Sequence, residues 1–191
     1  MPNRIMIVVI ALVSMCLSSC NSISPHVKSN AFGKDGTACA GDVMEPPPGL
    51  VEATDEALLA GTLGASGEGK LCVGKVFKVT YPLTVYRVWD NSKSYTAFGS
   101  WWSFSPPQGP RDSYREANNI CPSWSALDRM SACTLKIGAL IVIGPGQSAD
   151  CGGTTYAKSA VNQVYMQNDA KIGQVYVENC INSDKWPNTP K

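Results

Sequence analysis

One arginine interrupts a run that otherwise reads as a buried strand. In LTVYRVW at 83–89, Leu83, Val85, Arg87 and Trp89 share one face of a period-two pattern rich in β-branched and aromatic residues. A guanidinium keeps its charge, so on an apolar face it needs an anion. Either a carboxylate of the protein or an anionic ligand must supply it. The chain has one histidine, His26, near its start. Mechanisms built on a positioned imidazole are therefore not expected. The acids Asp90, Asp112, Glu116, Asp128, Asp150, Asp169 and Glu178 show no pairing pattern for acid–base hydrolysis. What remains is polar, uncharged chemistry around Arg87: Ser103 and Ser105 in an S-x-S run, Gln163 in a late apolar segment, Gln147 in GPGQSAD, and the aromatic groups Trp101, Trp102 and Tyr114.

The elements that must hold these groups are mostly strands. Strands are expected at 75–81 and 83–89, an extended aromatic segment at 97–105, and a core strand at 134–143. That core strand would place Leu135, Ile137, Ala139, Ile141 and Ile143 on one face. Two last strands are expected at 161–167 and 174–178. Short helices are expected at 54–60, capped by Thr54, at 112–119, capped by Asp112, and around 124–130. Arg115 and Glu116 read as a solvated helix face. Gly61 to Gly69 lacks phosphate-loop spacing and reads as a flexible connection. The fold class is α+β, with a mostly antiparallel split sheet and short helices.

The first residues read as an export signal. A short start carrying Arg4 precedes an apolar run too short to span a bilayer. Leu17-Ser-Ser-Cys20 resembles a bacterial lipobox, which implies cleavage before Cys20 and lipid attachment there. Asn21 after that cysteine points to the outer membrane. The expected organisation is a signal peptide at 1–19, a lipidated tether at 20–38, an accessory segment at 39–69, the main domain at 70–182 and a tail at 183–191. Removing 1–19 takes away Arg4 and no acid, which leaves basic and acidic side chains equal in number. A neutral surface argues against nucleic acid as a partner. Six cysteines remain in the exported part: Cys39, Cys72, Cys121, Cys133, Cys151 and Cys180. An even number in an oxidising compartment predicts three disulfides among fifteen possible pairings. With no C-x-x-C and no nearby histidine, no metal site is expected.

Four segments in order resemble the ADP-ribosyltransferase superfamily, especially toxin-like domains and NAD-hydrolysing relatives. They are TVYRVWD at 84–90, GSWWSFSPP at 99–107, DSYREANN at 112–119 and SAVNQVYM at 159–166. The resemblance implies NAD as substrate and an ADP-ribosyltransferase-like split sheet. It implies that Arg87 anchors the NAD phosphates or ribose, that Ser103 and Ser105 support the nicotinamide pocket, and that Gln163 takes the late catalytic position. Trp102 and Tyr114 would stack on a ring of NAD, and Gln147 would lie on a target-recognition loop. A glutamine at the late position cannot act as a base, so the resemblance favours NAD hydrolysis over transfer. It implies a protein target or a cognate inhibitor as partner, besides the membrane reached through Cys20. The alternative is a non-catalytic surface lipoprotein that binds a glycan or a protein through Trp101-Trp102.

Overall fold

The computed structural model describes residues 31–183 and Trp186. The signal peptide, Cys20, tether residues 20–30 and all of the tail from 184 except Trp186 lie outside them. Ten strands and two α-helices follow in chain order: β1 (Leu50–Glu52), α1 (Glu56–Thr62), β2 (Lys75–Val79), β3 (Thr84–Trp89), β4 (Trp101–Trp102), α2 (Arg111–Ala117), β5 (Arg129–Leu135), β6 (Leu140–Pro145), β7 (Ala149–Asp150), β8 (Thr155–Tyr156), β9 (Asn162–Tyr165) and β10 (Val177–Ser183). Short 3-10 turns cover Ser94–Phe98 and Ala170–Ile172.

The strands form a five-stranded sheet in the order β1-β2-β6-β9-β4 and a three-stranded sheet in the order β10-β5-β3. All their pairings are antiparallel. The α+β, mostly antiparallel expectation holds. The two sheets touch where Tyr86 and Ser103 exchange backbone hydrogen bonds of 2.8 Å in both directions, joining β3 to β4.

The expected core strand at 134–143 is instead two strands. Gly138 turns the chain at φ +88°, a region that side-chain-bearing residues rarely adopt, and the Ala139 N–H donates to the Lys136 carbonyl at 3.1 Å. Ile137 sits on this turn, 65 % exposed, while Leu135, Ala139, Ile141 and Ile143 are buried. The turn hands the chain from the three-stranded sheet to the five-stranded one. Those four residues join Phe77, Val79, Val85, Trp102, Val164 and Met166 in the main core. Each fully buried branched aliphatic side chain there contributes about 2 kcal/mol.

Both helices begin differently from expectation. α1 is capped by Asp55, whose carboxylate accepts from the Leu58 N–H at 2.9 Å, and Thr54 plays no capping role. Asp55 can reach the third residue of the helix from an extended backbone, which is what a cap requires. α2 starts after Pro110, with no side-chain cap, and Asp112 falls inside its first turn. The helix expected around 124–130 is a loop that runs into β5. The extended segment at 97–105 narrows to β4 after a 3-10 turn.

The segment expected to be accessory is built into the domain. β1 pairs with β2, and α1 packs Leu58 against Leu71, Val76 and Val142. Residues 61–69 are tied back as well: Gly64 N–H donates to the Leu71 carbonyl at 2.9 Å, and Gly69 N–H to the Ser148 carbonyl at 2.8 Å. The six cysteines form Cys39–Cys72, Cys121–Cys151 and Cys133–Cys180. The last pair crosslinks β5 to β10. Among the described residues, no helix is long and apolar enough to cross a membrane.

Candidate functional site

Arg87 projects from β3 and is held without an acid. Its Nε donates to the Thr96 carbonyl and its Nη1 to the Trp101 carbonyl, each at 2.6 Å. Among the described residues no carboxylate forms an ion pair with it. Burial pulls its pKa down to about 10, against a small opposing pull from Tyr114. The group remains a cation at neutral pH, and carbonyl dipoles alone compensate it. Gly99 makes this placement possible: a Cβ there would meet Arg87 Nη2 and lie 2.6 Å from Cζ.

Gln163 reaches the same place from β9 in the other sheet. Its Nε2 donates to the Asn118 carbonyl at 3.1 Å, just past the end of α2, and the residue is only 6 % exposed. One Nε2 hydrogen is committed to Asn118, and Oε1, which accepts from no group of the protein, is left for a ligand. Arg87 and Gln163 line one cavity of about 170 Å³, together with Trp101, Trp124, Asn119 and Leu127. A recess of about 40 Å³ shares Arg87, Trp101, Asn118 and Gln163 with it and adds Tyr86, Trp102 and Tyr114.

The cavity wall is conformationally unusual. Asn119 and Leu127 both have positive φ, 53° and 52°, and both are almost fully buried. Strained residues of this kind persist where the surroundings fix them, and they concentrate at binding sites. Asn119 Nδ2 donates to the Ala157 carbonyl at 2.7 Å, while its buried Oδ1 has no partner. Gly146 leaves room for that oxygen, since a Cβ on Gly146 would run into it and stand 3.2 Å from Gln163 Nε2. Asp90 also borders the cavity. Its carboxylate accepts from the Ser92 hydroxyl at 2.6 Å and the Ser92 N–H at 2.9 Å, with Ala126 N–H at 3.3 Å. The Ser92 hydroxyl chiefly holds it below the usual carboxylate range. An acid so stabilised as an anion is a poor proton acceptor at neutral pH.

The remaining expected site residues divide. Tyr114 lies between the recess and an open groove of about 450 Å³, and burial pushes its phenol up to about 12. Ser103 and Ser105 line that groove and not the Arg87 cavity; Ser103 Oγ accepts from the Ser105 N–H at 3.1 Å. Trp102 is a core residue, 2 % exposed, with its Nε1 donating to the Gly99 carbonyl at 2.7 Å. Its neighbour Trp101 faces the cavity and meets Tyr165 edge-on at 4.9 Å. Of the Trp101-Trp102 pair through which the glycan or protein alternative would bind, Trp102 offers no exposed ring. Gln147 is corrected from the recognition role: it is fully buried, its Oε1 accepts from the Ser148 N–H at 2.8 Å, and Nε2 donates to the Gly64 carbonyl at 3.4 Å. Arg115 is also corrected. It is buried, not solvated, with Nη2 donating to the Ala126 carbonyl at 3.0 Å and Nη1 unpartnered.

Sequence reasoning missed Trp124, Asn118 and Asn119. The Asn-Asn pair at the end of α2 carried a usable signal, because asparagine tolerates the left-handed turn that ends helices. Trp124 is 46 % exposed at the rim, against Gly69, and nothing in its neighbourhood marked it. Among the described residues no group of His, Cys, Asp and Glu is arranged to hold a metal. Comparison with protein-family models, curated proteins and solved structures gives no significant match.

Proposed function

We propose that the protein is an exported, lipid-anchored NAD glycohydrolase of ADP-ribosyltransferase-like build. One observation carries the reading: an arginine with no acid partner and an amide with a free oxygen line the same small cavity, although they come from different sheets. A guanidinium held only by neutral carbonyls keeps its net charge for an anion, and a pyrophosphate supplies one in forked, charge-assisted form. The order of four segments that resembles the superfamily, and the two antiparallel sheets, support the same reading.

In this scheme the nicotinamide ring enters the cavity between Trp101 and Trp124, and Gln163 Oε1 accepts a hydrogen bond from a ribose hydroxyl. The bond between the ribose C1′ and the ring nitrogen breaks. Its electron pair leaves with nicotinamide, which departs neutral and needs no acid. Water attacks the oxocarbenium-like C1′ and loses a proton to solvent, giving ADP-ribose. Holding the ribose bent in a site that restricts water is the protein's contribution. Neither Gln163 nor Asp90 serves as a base, and this favours hydrolysis over transfer to a protein.

The test is release of nicotinamide from NAD by the purified, disulfide-bonded protein, with ADP-ribose as the second product. Arg87→Ala is expected to reduce kcat/KM on the order of a hundredfold, the loss typical of one preorganised charge-stabilising group. No nicotinamide from correctly oxidised wild-type protein removes the enzymatic reading.

A further inference from the structure

The cavity is too small for a whole dinucleotide, since pockets that enclose drug-sized ligands run to about 300–1,000 Å³. About 170 Å³ takes one heteroaromatic ring and part of a sugar. The other half of the substrate must lie on a neighbouring surface that the anchoring cation also touches. Arg87 satisfies this on one side. Besides the cavity and its recess of about 40 Å³, which is too small for the other half, it borders a groove of about 210 Å³ between the turns at Ser94–Phe98 and Ala170–Ile172. The guanidinium is therefore the partition between the two spaces, with Gly99 leaving Nη2 uncovered by any side chain of its own.

We infer that this groove holds the adenosine-phosphate half of the dinucleotide, with Tyr95 and Lys171 as its binding residues. The inference rests on the NAD reading of the cavity. Lys171 Nζ stands 4.8 Å from the centre of the Tyr95 ring, so a second cation is already localised beside Arg87. Tyr95 is half exposed, which leaves ring surface for a base to stack on. The only acid lining the groove, Asp169, turns its carboxylate to the Lys171 N–H at 2.9 Å and caps that turn. Two cations against one engaged acid make the groove a place for a phosphate chain. The larger groove near Ser103 and Tyr114 lacks this feature, because no charged residue lines it.

The test uses competition against NAD in the nicotinamide-release assay, with two probes. ADP reports the groove and nicotinamide reports the cavity. Lys171→Gln and Tyr95→Ala replace surface groups, so both proteins are expected to fold. Each should raise KM for NAD and the inhibition constant of ADP by roughly three- to tenfold, with kcat and the inhibition constant of nicotinamide unchanged. The inference is overturned if ADP does not compete, if neither variant weakens it, or if ADP and nicotinamide weaken together. Absence of NAD cleavage by the wild-type protein is a different result, and it removes the cavity reading on which the groove depends.

Discussion

Arg87 on β3 and Gln163 on β9 belong to different sheets, yet they line a single cavity. Their meeting depends on the Tyr86–Ser103 seam that brings β3 beside β4, while β4 in turn pairs with β9. The cation and the amide are thus positioned by backbone pairing. Each also donates to a carbonyl of a third segment: Arg87 to Thr96 and Trp101, Gln163 to Asn118.

The Asn118 contact sets what Gln163 can be replaced by. An ionised glutamate has no donor for the Asn118 carbonyl and would press one oxygen against another. Under the proposed NAD hydrolysis, Gln163→Glu is therefore expected to lose activity at neutral pH rather than acquire transferase activity. Such a buried carboxyl would have its pKa raised, so protonation restores a donor and part of the activity should return as the pH falls toward 5. Steady-state rates across pH check this. A variant that is fully active at pH 7 would mean that the amide nitrogen has no positioning role.

Gly146 packs behind two residues of the cavity wall and has no room for a side chain. A methyl group there would displace the Asn119 Oδ1 and crowd Gln163 Nε2. Gly146→Ala should cost about 1–3 kcal/mol, the usual range for overpacking, and lower nicotinamide release as well. Gly61→Ala is the matched control: it lies in α1 with open space around its Cβ position, and it should be neutral or stabilise by up to about 1 kcal/mol. Thermal melts of the two variants separate a local clash from a general effect of the added methyl.

Much of this arrangement is legible in the sequence. Alternation in 83–89 marks β3, and the need of Arg87 for compensation follows from chemistry, though not whether an acid of the protein or a ligand supplies it. The even cysteine count gave three disulfides, though not their partners, since pairing is set by tertiary approach. The 134–143 run reads as one strand because its apolar residues keep period two through Gly138, and periodicity carries no information about a positive φ. Residues 61–69 looked flexible because glycine content does not report the backbone hydrogen bonds that tie them to Leu71 and Ser148. Gln147 and Arg115 looked exposed because a polar side chain whose partners are carbonyls and N–H groups of distant segments leaves no local sequence mark.

The first described residues are bound to the domain by one ion pair with a measurable pH signature. Lys158 Nζ contacts Asp35 Oδ1 at 3.0 Å and donates to the Thr37 side chain and carbonyl. Lys158, more than any other neighbour, holds the Asp35 carboxyl down to about 2 from an ordinary value of 3.8. A depressed folded-state pKa means that the contribution is complete above the unfolded value and is lost as pH falls through the folded one. Asp35→Asn should therefore lower Tm at neutral pH. The gap between variant and wild type should begin to close below pH 3.8 and vanish near pH 2. A gap that stays constant down to pH 2 would place the effect in packing and not in charge.

The Cys121–Cys151 disulfide ties the cavity wall to the hairpin of β7 and β8. Cys121 follows Asn119 and Ile120 and precedes Trp124 and Leu127, all four of which line the cavity. Closing a loop with a sequence separation of 30 residues removes chain entropy worth about 3–4 kcal/mol. Replacing both cysteines by alanine should lower stability by up to that amount. It should also loosen the left-handed corner at Asn119, so the proposed NAD hydrolysis should suffer at temperatures where the variant is still folded. Replacing Cys133 and Cys180 provides the comparison, because that pair crosslinks β5 to β10 without touching the cavity wall. The expected pattern is loss of stability in both double variants, with a large fall in kcat only in the first. Equal kinetic losses would show that the disulfides act on the domain as a whole, and unchanged kinetics in the Cys121/Cys151 variant would mean that the wall holds its shape through hydrogen bonds alone.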